Sequence, residues 1–352
     1  MNTYTISVVG AGAGGKLSIR GAEASDRYRL VAVADVKAEA REAVEAQWPH
    51  ARVFPSHAAM FAECPTDVVC VSTYAPTHLP ITRDALSLPL TGILVEKPLG
   101  DTARAGREIL EAVRAKALPM AVPHGLLMGD HVREIIGRVR GGEIGELKLV
   151  EIENGKWDVI NAGIHWLNFF VNLVGDEPVE YVLAACDAST RTYRDGMQVE
   201  TVSVTLVQMK NGVRCVLHIG DDVRTTREGK GTLFRIVGTK GQIEFWGFEG
   251  AYLLVNEPYP SGRLFEFDAA ARGNHRKHLD AMAAQMDAGA PDYAIADSSL
   301  RALELCEAAY LSNRRRCRVV FPLESFTPPE PTDWDPGTPY SGEGGGRDGR
   351  KL

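Results

Sequence analysis

The sequence predicts an α/β protein: an N-terminal doubly wound parallel sheet, then an α+β domain built on a large open, mostly antiparallel sheet. Three observations carry this. Over residues 4–122, short uninterrupted apolar runs alternate with helical patterns, as buried parallel strands alternate with crossover helices. A Gly-x-Gly-x-x-Gly run, Gly10 to Gly15, separates the first apolar run from the first helical pattern. Beyond about residue 124 the runs lengthen, partly alternate, and are joined by turn pairs such as Asn211-Gly212, the pattern of an antiparallel sheet.

In order, Thr5 to Val9 is a β-branched strand, followed by the glycine turn and a helix to about Ser25. Leu30 to Ala34 is the second strand and Val36 to Gln47 its helix. Ser56 caps a short helix ending near Cys64, because a serine oxygen can accept one of the free N–H groups of a first turn. Asp67 to Ser72 and Gly92 to Val95 are further buried strands, the second running into Glu96-Lys97-Pro98. A helix over Ala103 to Lys116 and the run Met120 to Val122 complete the unit. Then come a helix from Gly129 to Arg140, stopped by Gly141-Gly142, a strand from Leu147 to Glu153, and an aromatic-rich helix from Ile164 to Val174. Strands follow over Val179–Cys186, Glu200–Gln208, Arg214–Ile219, Leu233–Val237, Gln242–Trp246 and Ala251–Val255. Helical patterns near Asn274 to Asp287 and Ala296 to Ser312, and a strand at Arg318 to Phe321, precede a Pro/Gly-rich tail.

The expected domains are therefore 1–123, 124–325 (with the helix near 296–312 packing back on the first domain) and a C-terminal arm over 326–352 in which Trp334 and Tyr340 argue for docking. The length of 352 residues independently favours about two domains. A formal net charge of -7 argues against nucleic acid or an anionic membrane as the main partner, since both need a basic face. No apolar run approaches the roughly 18 residues of a membrane span. The six cysteines form no Cys-x-x-Cys pair, so neither a zinc site nor a disulfide framework is indicated, and a reducing cytoplasm fits.

The glycine run has the context of a dinucleotide-binding, or Rossmann, fingerprint: it follows a buried strand and opens a helix. Gly10 permits the tight turn, Gly12 lets backbone approach a pyrophosphate, and Gly15 permits close packing of helix on strand; Ala11 and Gly14 supply the intervening backbone. Asp35 ends the second strand, where a carboxylate accepts hydrogen bonds from a ribose diol. The same charge repels a 2′-phosphate, and the next residue is Val36 instead of an arginine, so NAD is favoured over NADP.

With these motifs the chain resembles the Gfo/Idh/MocA oxidoreductases (glucose-fructose oxidoreductase, inositol dehydrogenase and relatives) from about Tyr4 to Phe321. The resemblance rests on the Gly10 fingerprint, Val71-Ser72-Thr73 with His78, Glu96-Lys97-Pro98, Gly142-Glu143-Ile144-Gly145, Gly163-Ile164-His165 and Gly238-Thr239-Lys240-Gly241. It implies a Rossmann domain followed by an open-sheet α/β domain, a catalytic Lys97 with Glu96 near the nicotinamide, a catalytic His165, and a dimer or tetramer assembled through the second sheet. Ser72, Thr73, Tyr74, His78, Glu96 and Lys97 itself join the expected cofactor residues. Read from its own chemistry, a lysine at the carboxyl end of a parallel strand can stabilise the alkoxide that develops as hydride leaves carbon. A histidine, with an ordinary pKa of about 6.5, suits proton exchange with an alcohol.

The chain departs from the family pattern at three places. The usual aspartates around the histidine are Asn161 and Asn168, so an amide, which cannot hold a proton, stands where the family has a carboxylate. Pro123-His124-Gly125-Leu126-Leu127 lacks the asparagine and arginine that reach substrate in many relatives, which disfavours an anionic substrate. Tyr74 replaces a frequent proline. The expected substrate residues are His124, Trp157, Asp158, Asn161 and His165, with Asn154 and Lys156 as neighbours; no metal is expected. The predicted activity is NAD-dependent oxidation of a secondary alcohol of a sugar, sugar derivative or cyclitol, or its reverse. Two other readings share the fold: a redox-neutral epimerase, isomerase or glycoside-cleaving enzyme with tightly held NAD, and a non-catalytic NAD-binding regulator.

Overall fold

A computed structural model describes residues 2–187, 192–267 and 274–328 and divides the chain into two compact units. The first comprises Met1–Met128 with Ala270–Leu300, the second Gly129–Ala269 with Arg301–Leu352. Residues 274–300, inside the range 124–325 of the sequence reading, thus count with the first unit. Most of the arm expected over 326–352, including Trp334 and Tyr340, lies outside the described residues.

The first unit runs β1 (Tyr4–Val9), α1 (Ala13–Glu23), β2 (Tyr28–Ala34), α2 (Ala38–Gln47), β3 (Arg52–Phe54), α3 (His57–Glu63), β4 (Val68–Val71), α4 (His78–Ala85), β5 (Gly92–Val95), α5 (Ala103–Ala115) and β6 (Met120–Ala121). The strands form one parallel sheet in the order β3-β2-β1-β4-β5-β6, the doubly wound arrangement expected. Every residue of β4 and β5 is buried, which is why Val-Val-Cys-Val and Gly-Ile-Leu-Val read as continuous apolar runs instead of alternating ones. Ser56 caps α3 as predicted, accepting from the Ala59 N–H at 3.2 Å, and Thr102 caps α5 by accepting from Ala105 at 3.1 Å. The core around Ile6, Val8, Leu30, Val33 and Leu94 also takes in Leu279, Met282 and Ala283 from a later helix over Asn274–Ala288.

The second unit contains α6 (Asp130–Arg140), β7 (Leu147–Gly155), α7 (Ile164–Val174), β8 (Val179–Cys186), β9 (Thr192–Arg194), β10 (Met197–Val199), β11 (Val202–Met209), β12 (Arg214–Gly220), β13 (Thr232–Gly238), β14 (Gly241–Phe245), β15 (Ala251–Asn256) and β16 (Tyr259–Glu266). The chain continues through α8 (Asn274–Ala288), which counts with the first unit, α9 (Ala294–Arg315), divided at Leu300, and β17 (Val319–Val320). Nine strands form a sheet in the order β16-β15-β14-β13-β7-β12-β11-β8-β17; among the described residues only β7 and β12 pair in parallel. One face carries the core. Phe234 and Phe245 stack at 4.2 Å, and Phe169 meets both edge-on at 5.3 and 5.0 Å, which pins α7 to the sheet.

Four kinds of element went unread in the sequence. Strand β3 is only three residues long. Helix α4 carries Pro80 in its first turn, where the missing N–H costs nothing but the residue reads as a breaker. Edge strand β16 contains Pro260 and Gly262, both strand-weakening. The β9–β10 hairpin is made by Asp195 and Gly196, with φ of 50° and 80°, on strands of three residues each. A strand expected from Glu200 begins at Val202 instead, and the Glu200 side chain is committed elsewhere.

Candidate functional site

In the first unit the glycine turn has the geometry of a phosphate cradle. Gly10 has φ +96°, and a Cβ there would lie 2.3 Å from the Ser72 carbonyl oxygen. A Cβ on Gly15 would lie 1.9 Å from the Gly10 carbonyl oxygen, so the helix can pack on the turn only without a side chain. At Gly12 a Cβ would meet nothing within 4 Å: the backbone there faces open space. Gly12 is also the N-cap of α1, no side chain caps it, and no acidic residue stands in the first turn. Free N–H groups at a bare, positively polarised helix start are what a pyrophosphate requires.

Asp35 stands at the end of β2, where its Oδ2 accepts from the Ala11 N–H at 2.7 Å and its Oδ1 from the Lys37 N–H at 2.8 Å. These bonds fix the carboxylate beside the turn while leaving lone pairs for a ribose diol. Arg41 donates to the backbone carbonyls of Asp35 and Val36, at 3.0 and 3.1 Å. The residues present therefore fit a dinucleotide.

The far wall of the cradle comes from the ends of β4 and β5. The Ser72 hydroxyl pairs with that of Ser18 at 2.9 Å, and the Thr77 hydroxyl donates to Thr73 at 2.7 Å. Tyr74 is 52% exposed. His78 is fully buried, with Nε2 3.0 Å from the Thr73 carbonyl and Nδ1 3.0 Å from that of Pro98. It ties the loop after β4 to the loop after β5. Burial pulls its pKa down, against the two carbonyls and Glu96, so the ring is neutral and donates to one carbonyl at a time.

Glu96 is buried against the first turn of α1, where a Cβ on Gly14 would lie 3.3 Å from its carboxylate. His275 Nε2 lies 2.7 Å from its Oε1, and its Oε2 accepts from the Lys97 N–H at 3.1 Å. Burial pushes this carboxyl up, but the His275 hydrogen bond and charge, with Lys97 and His78, outweigh it and hold the group below the usual range. Lys97 follows on a cis bond to Pro98, with its side chain half-buried. His124 is fully enclosed and pairs with the Ser299 hydroxyl at 2.8 Å. Burial, then His278 and Lys97, drive its pKa well down.

In the second unit His165 sits in the first turn of α7, half-buried, after a π-type turn over Val159–Gly163. Phe248 stands edge-on to its imidazole at 6.4 Å and is itself 41% exposed, so an apolar wall flanks the ring. Asp158 caps the π-type turn: its Oδ1 accepts from the Asn161 N–H at 2.8 Å and from Asn161 Nδ2 at 2.9 Å. Its Oδ2 accepts from Arg194 Nη1 at 2.7 Å. The same guanidinium lies over Trp157, 4.9 Å from the ring centroid, and Trp157 is 46% exposed. Glu200 accepts from the Val159 N–H and the Tyr310 hydroxyl, both at 2.7 Å. Burial, then the charge of Asp158, raise its pKa. Asn154 donates to Thr232 at 2.7 Å, Lys156 has φ +73°, and Asn168 is fully buried in α7.

Of the expected cofactor residues outside the glycine turn, Asp35, Ser72, Thr73 and Glu96 stand against it or against the first turn of α1, and His78 stands behind Thr73. Trp157, Asp158 and Asn161 gather at the start of α7 in the second unit. Sequence reasoning missed Arg194, Glu200, Phe248 and His275. Each lies far along the chain from the residue it serves, in a stretch without a motif; only the paired Asp195-Gly196 signalled that a hairpin would carry Arg194.

Two family models match the chain. Residues 4–124 match an oxidoreductase family with an NAD-binding Rossmann fold, and residues 155–244 match the GFO/IDH/MocA C-terminal domain. The chain is 24% identical over 328 residues to the rhizopine catabolism protein MocA of Rhizobium meliloti, covering 88% of this chain and 95% of that one. It is 23% identical over 327 residues to an inositol 2-dehydrogenase of Rhizobium meliloti strain 1021, covering 88% and 97%. A solved structure of an inositol dehydrogenase homolog from Azotobacter vinelandii, complexed with NADH and myo-inositol, shares the fold at TM-score 0.75 and 18% identity, over 91% of this chain and 98% of that one.

Proposed function

The chain belongs to the Gfo/Idh/MocA family of NAD-binding oxidoreductases, and on that premise we propose that it oxidises a secondary alcohol of a neutral sugar or cyclitol, or runs the reverse reaction. The observation that carries the reading is the bare, uncapped N-terminus of α1 at Gly12 beside a fixed Asp35. The bound nicotinamide supplies the hydride acceptor or donor. Gly10, Ala11, Gly12, Gly14 and Gly15 hold the pyrophosphate, Asp35 the ribose, and Ser72, Thr73, Tyr74, His78 and Glu96 the nicotinamide half. Lys97 stabilises the negative charge that develops on the substrate oxygen. His165 takes the hydroxyl proton in oxidation and returns it in reduction.

Trp157 and Phe248 offer apolar faces of the kind that meet the C–H faces of a sugar ring. A neutral substrate is supported by Arg194, whose charge already answers Asp158. His124 and Asp158 act in this reading by packing and positioning. The redox-neutral and regulatory readings find no support of their own in these residues.

The likeness to inositol 2-dehydrogenase and to MocA makes cyclitols the first compounds to test. A panel of neutral cyclitols, neutral sugars and sugar acids, followed by NADH absorbance, is expected to respond to a neutral polyol. A response confined to sugar acids refutes the substrate class.

The reading extends to assembly and compartment. Leu183 and Val204, 45% and 46% exposed, lie on the open face of the nine-stranded sheet with Leu206 and Val216 beside them. A homodimer or homotetramer through this sheet would cover them. Light scattering that gives a monomer overturns that part. All six cysteines are free, which accords with the cytoplasm, and among the described residues no helix is long and apolar enough to cross a membrane.

A further inference from the structure

We propose that His275 is a positioning residue for the cofactor: it fixes the Glu96 carboxylate beside the nicotinamide and so sets how much more tightly the chain binds the oxidised cofactor than the reduced one. The inference rests on the cofactor placement above and deepens it. Both residues belong to the first unit. The sheet reverses its strand order between β1 and β4, with Asp35 ending β2 on one side of the glycine turn and Glu96 following β5 on the other. A dinucleotide lies across such a reversal, so a ribose held at Asp35 puts the second nucleoside over the ends of β4 and β5.

Glu96 is 6% exposed, and its carboxylate lies 3.3 Å from where a Cβ on Gly14 would stand, against the first turn of α1. The same helix start takes the pyrophosphate in the reading above. A second anion there repels the phosphates, and an ion pair this buried is weak support for a fold, so neither phosphate binding nor packing accounts for it. A cation accounts for it: the oxidised nicotinamide ring carries a positive charge and the reduced ring carries none. A carboxylate fixed on this side of the turn favours the oxidised form.

Helix α8 does the fixing. It meets α1 at Gly21, where a Cβ would lie 3.0 Å from the Arg276 backbone nitrogen and 3.1 Å from the His275 Cβ. The Tyr28 hydroxyl donates to the Leu279 carbonyl at 2.7 Å and holds the helix there. From this seat His275 Nε2 stands 2.7 Å from Glu96 Oε1, while the Lys97 N–H donates to Oε2 at 3.1 Å. An ionised carboxylate only accepts, so Nε2 carries the proton. The other groups acting on Glu96 or feeling its charge are Lys97, the neutral His78 of α4 and the buried Cys70 thiol of β4. Without the imidazole, burial favours a protonated, neutral Glu96, and the preference for the oxidised cofactor goes with the charge.

The test measures dissociation constants for NAD and NADH by calorimetric titration near neutrality. It compares wild type, H275N, H275Q, E96Q and the double variant E96Q/H275N, with melting temperatures taken without cofactor. H275N, too short to reach Oε1, and E96Q should each lower the preference for NAD over NADH about tenfold, mainly through weaker NAD binding, as loss of one partly screened charge predicts. H275Q, whose amide reaches Oε1 and donates without carrying charge, should keep the wild-type preference. H275N should add nothing to E96Q, because both remove the same anion. A residue that merely seated α8 would lower the melting temperature and weaken both cofactors alike, leaving the ratio of the two constants unchanged.

A ratio that moves in E96Q but not in H275N, or an H275Q shifted as far as H275N, overturns the proposal and leaves the cofactor placement standing. A ratio unchanged in E96Q refutes the placement of Glu96 at the nicotinamide, and the proposal with it.

Discussion

Replacing Gly12 with alanine separates cofactor binding from folding. The residue has φ −68°, which alanine adopts freely, and a Cβ there meets nothing within 4 Å. The folded protein without cofactor should therefore change by no more than about 0.5–1 kcal/mol, with a methyl added into open space and a weaker N-cap residue offset by lower unfolded-state entropy. The methyl does, however, occupy the approach to the free N–H groups of α1. A pyrophosphate displaced by about one methyl radius loses at least one charge-assisted hydrogen bond, worth about 1.5–3 kcal/mol. That predicts NAD binding weaker by roughly 10- to 150-fold. Gly15→Ala is the contrasting case: its Cβ lies 1.9 Å from the Gly10 carbonyl oxygen, so the turn itself must move and the melting temperature must fall. Calorimetric titration with NAD and thermal melts without it measure both quantities. An unchanged NAD affinity in Gly12→Ala, with the melting temperature also unchanged, would refute the placement of the pyrophosphate.

Three further outcomes follow from the same geometry. Lys97→Ala should lower kcat about 100- to 1000-fold with little change in NAD affinity, as expected for loss of one group that stabilises a developing oxyanion; initial rates and NAD titration together check this. His78 and His124 are buried with pKa values below the ordinary value, so the unfolded chain binds more protons than the folded one. Stability should thus be full above about pH 6.5 and decline as pH falls below it, and melts across that range should show a shallower decline in His124→Asn. Asn161→Asp places a second carboxylate within reach of Asp158 and should shift the acid limb of the kcat/KM profile; an unchanged profile would rule out a tuning role for the amide.

What was legible in the sequence and what was not divides along physical lines. The parallel sheet was readable because β4 and β5 are buried on both faces, which forces unbroken aliphatic runs, and because Gly10 and Gly15 each answer a steric demand that only glycine meets. The broad antiparallel sheet was readable from its lengths and turn pairs. Side-chain partnerships across long sequence separations were not. His275 reaches Glu96 from 179 positions away, and Tyr310 reaches Glu200 from 110. Glu200 read as the first residue of a strand because its neighbours are strand formers, yet its carboxylate is drawn to the Val159 N–H and the chain enters β11 only at Val202. His124 is expected at the substrate because it follows the last strand of the cofactor domain; its full burial and its bond to Ser299, 175 positions away, carry no sequence signal.

The central claim is hydride transfer between substrate carbon and cofactor. Its most direct test is a neutral cyclitol carrying deuterium at the reacting carbon, incubated with the enzyme and NAD. The account predicts that the label is recovered in the reduced cofactor, with one NADH formed per ketone and its formation slowed about 100- to 1000-fold in Lys97→Ala. Label retained in a rearranged or cleaved product, with no net NADH, would contradict it.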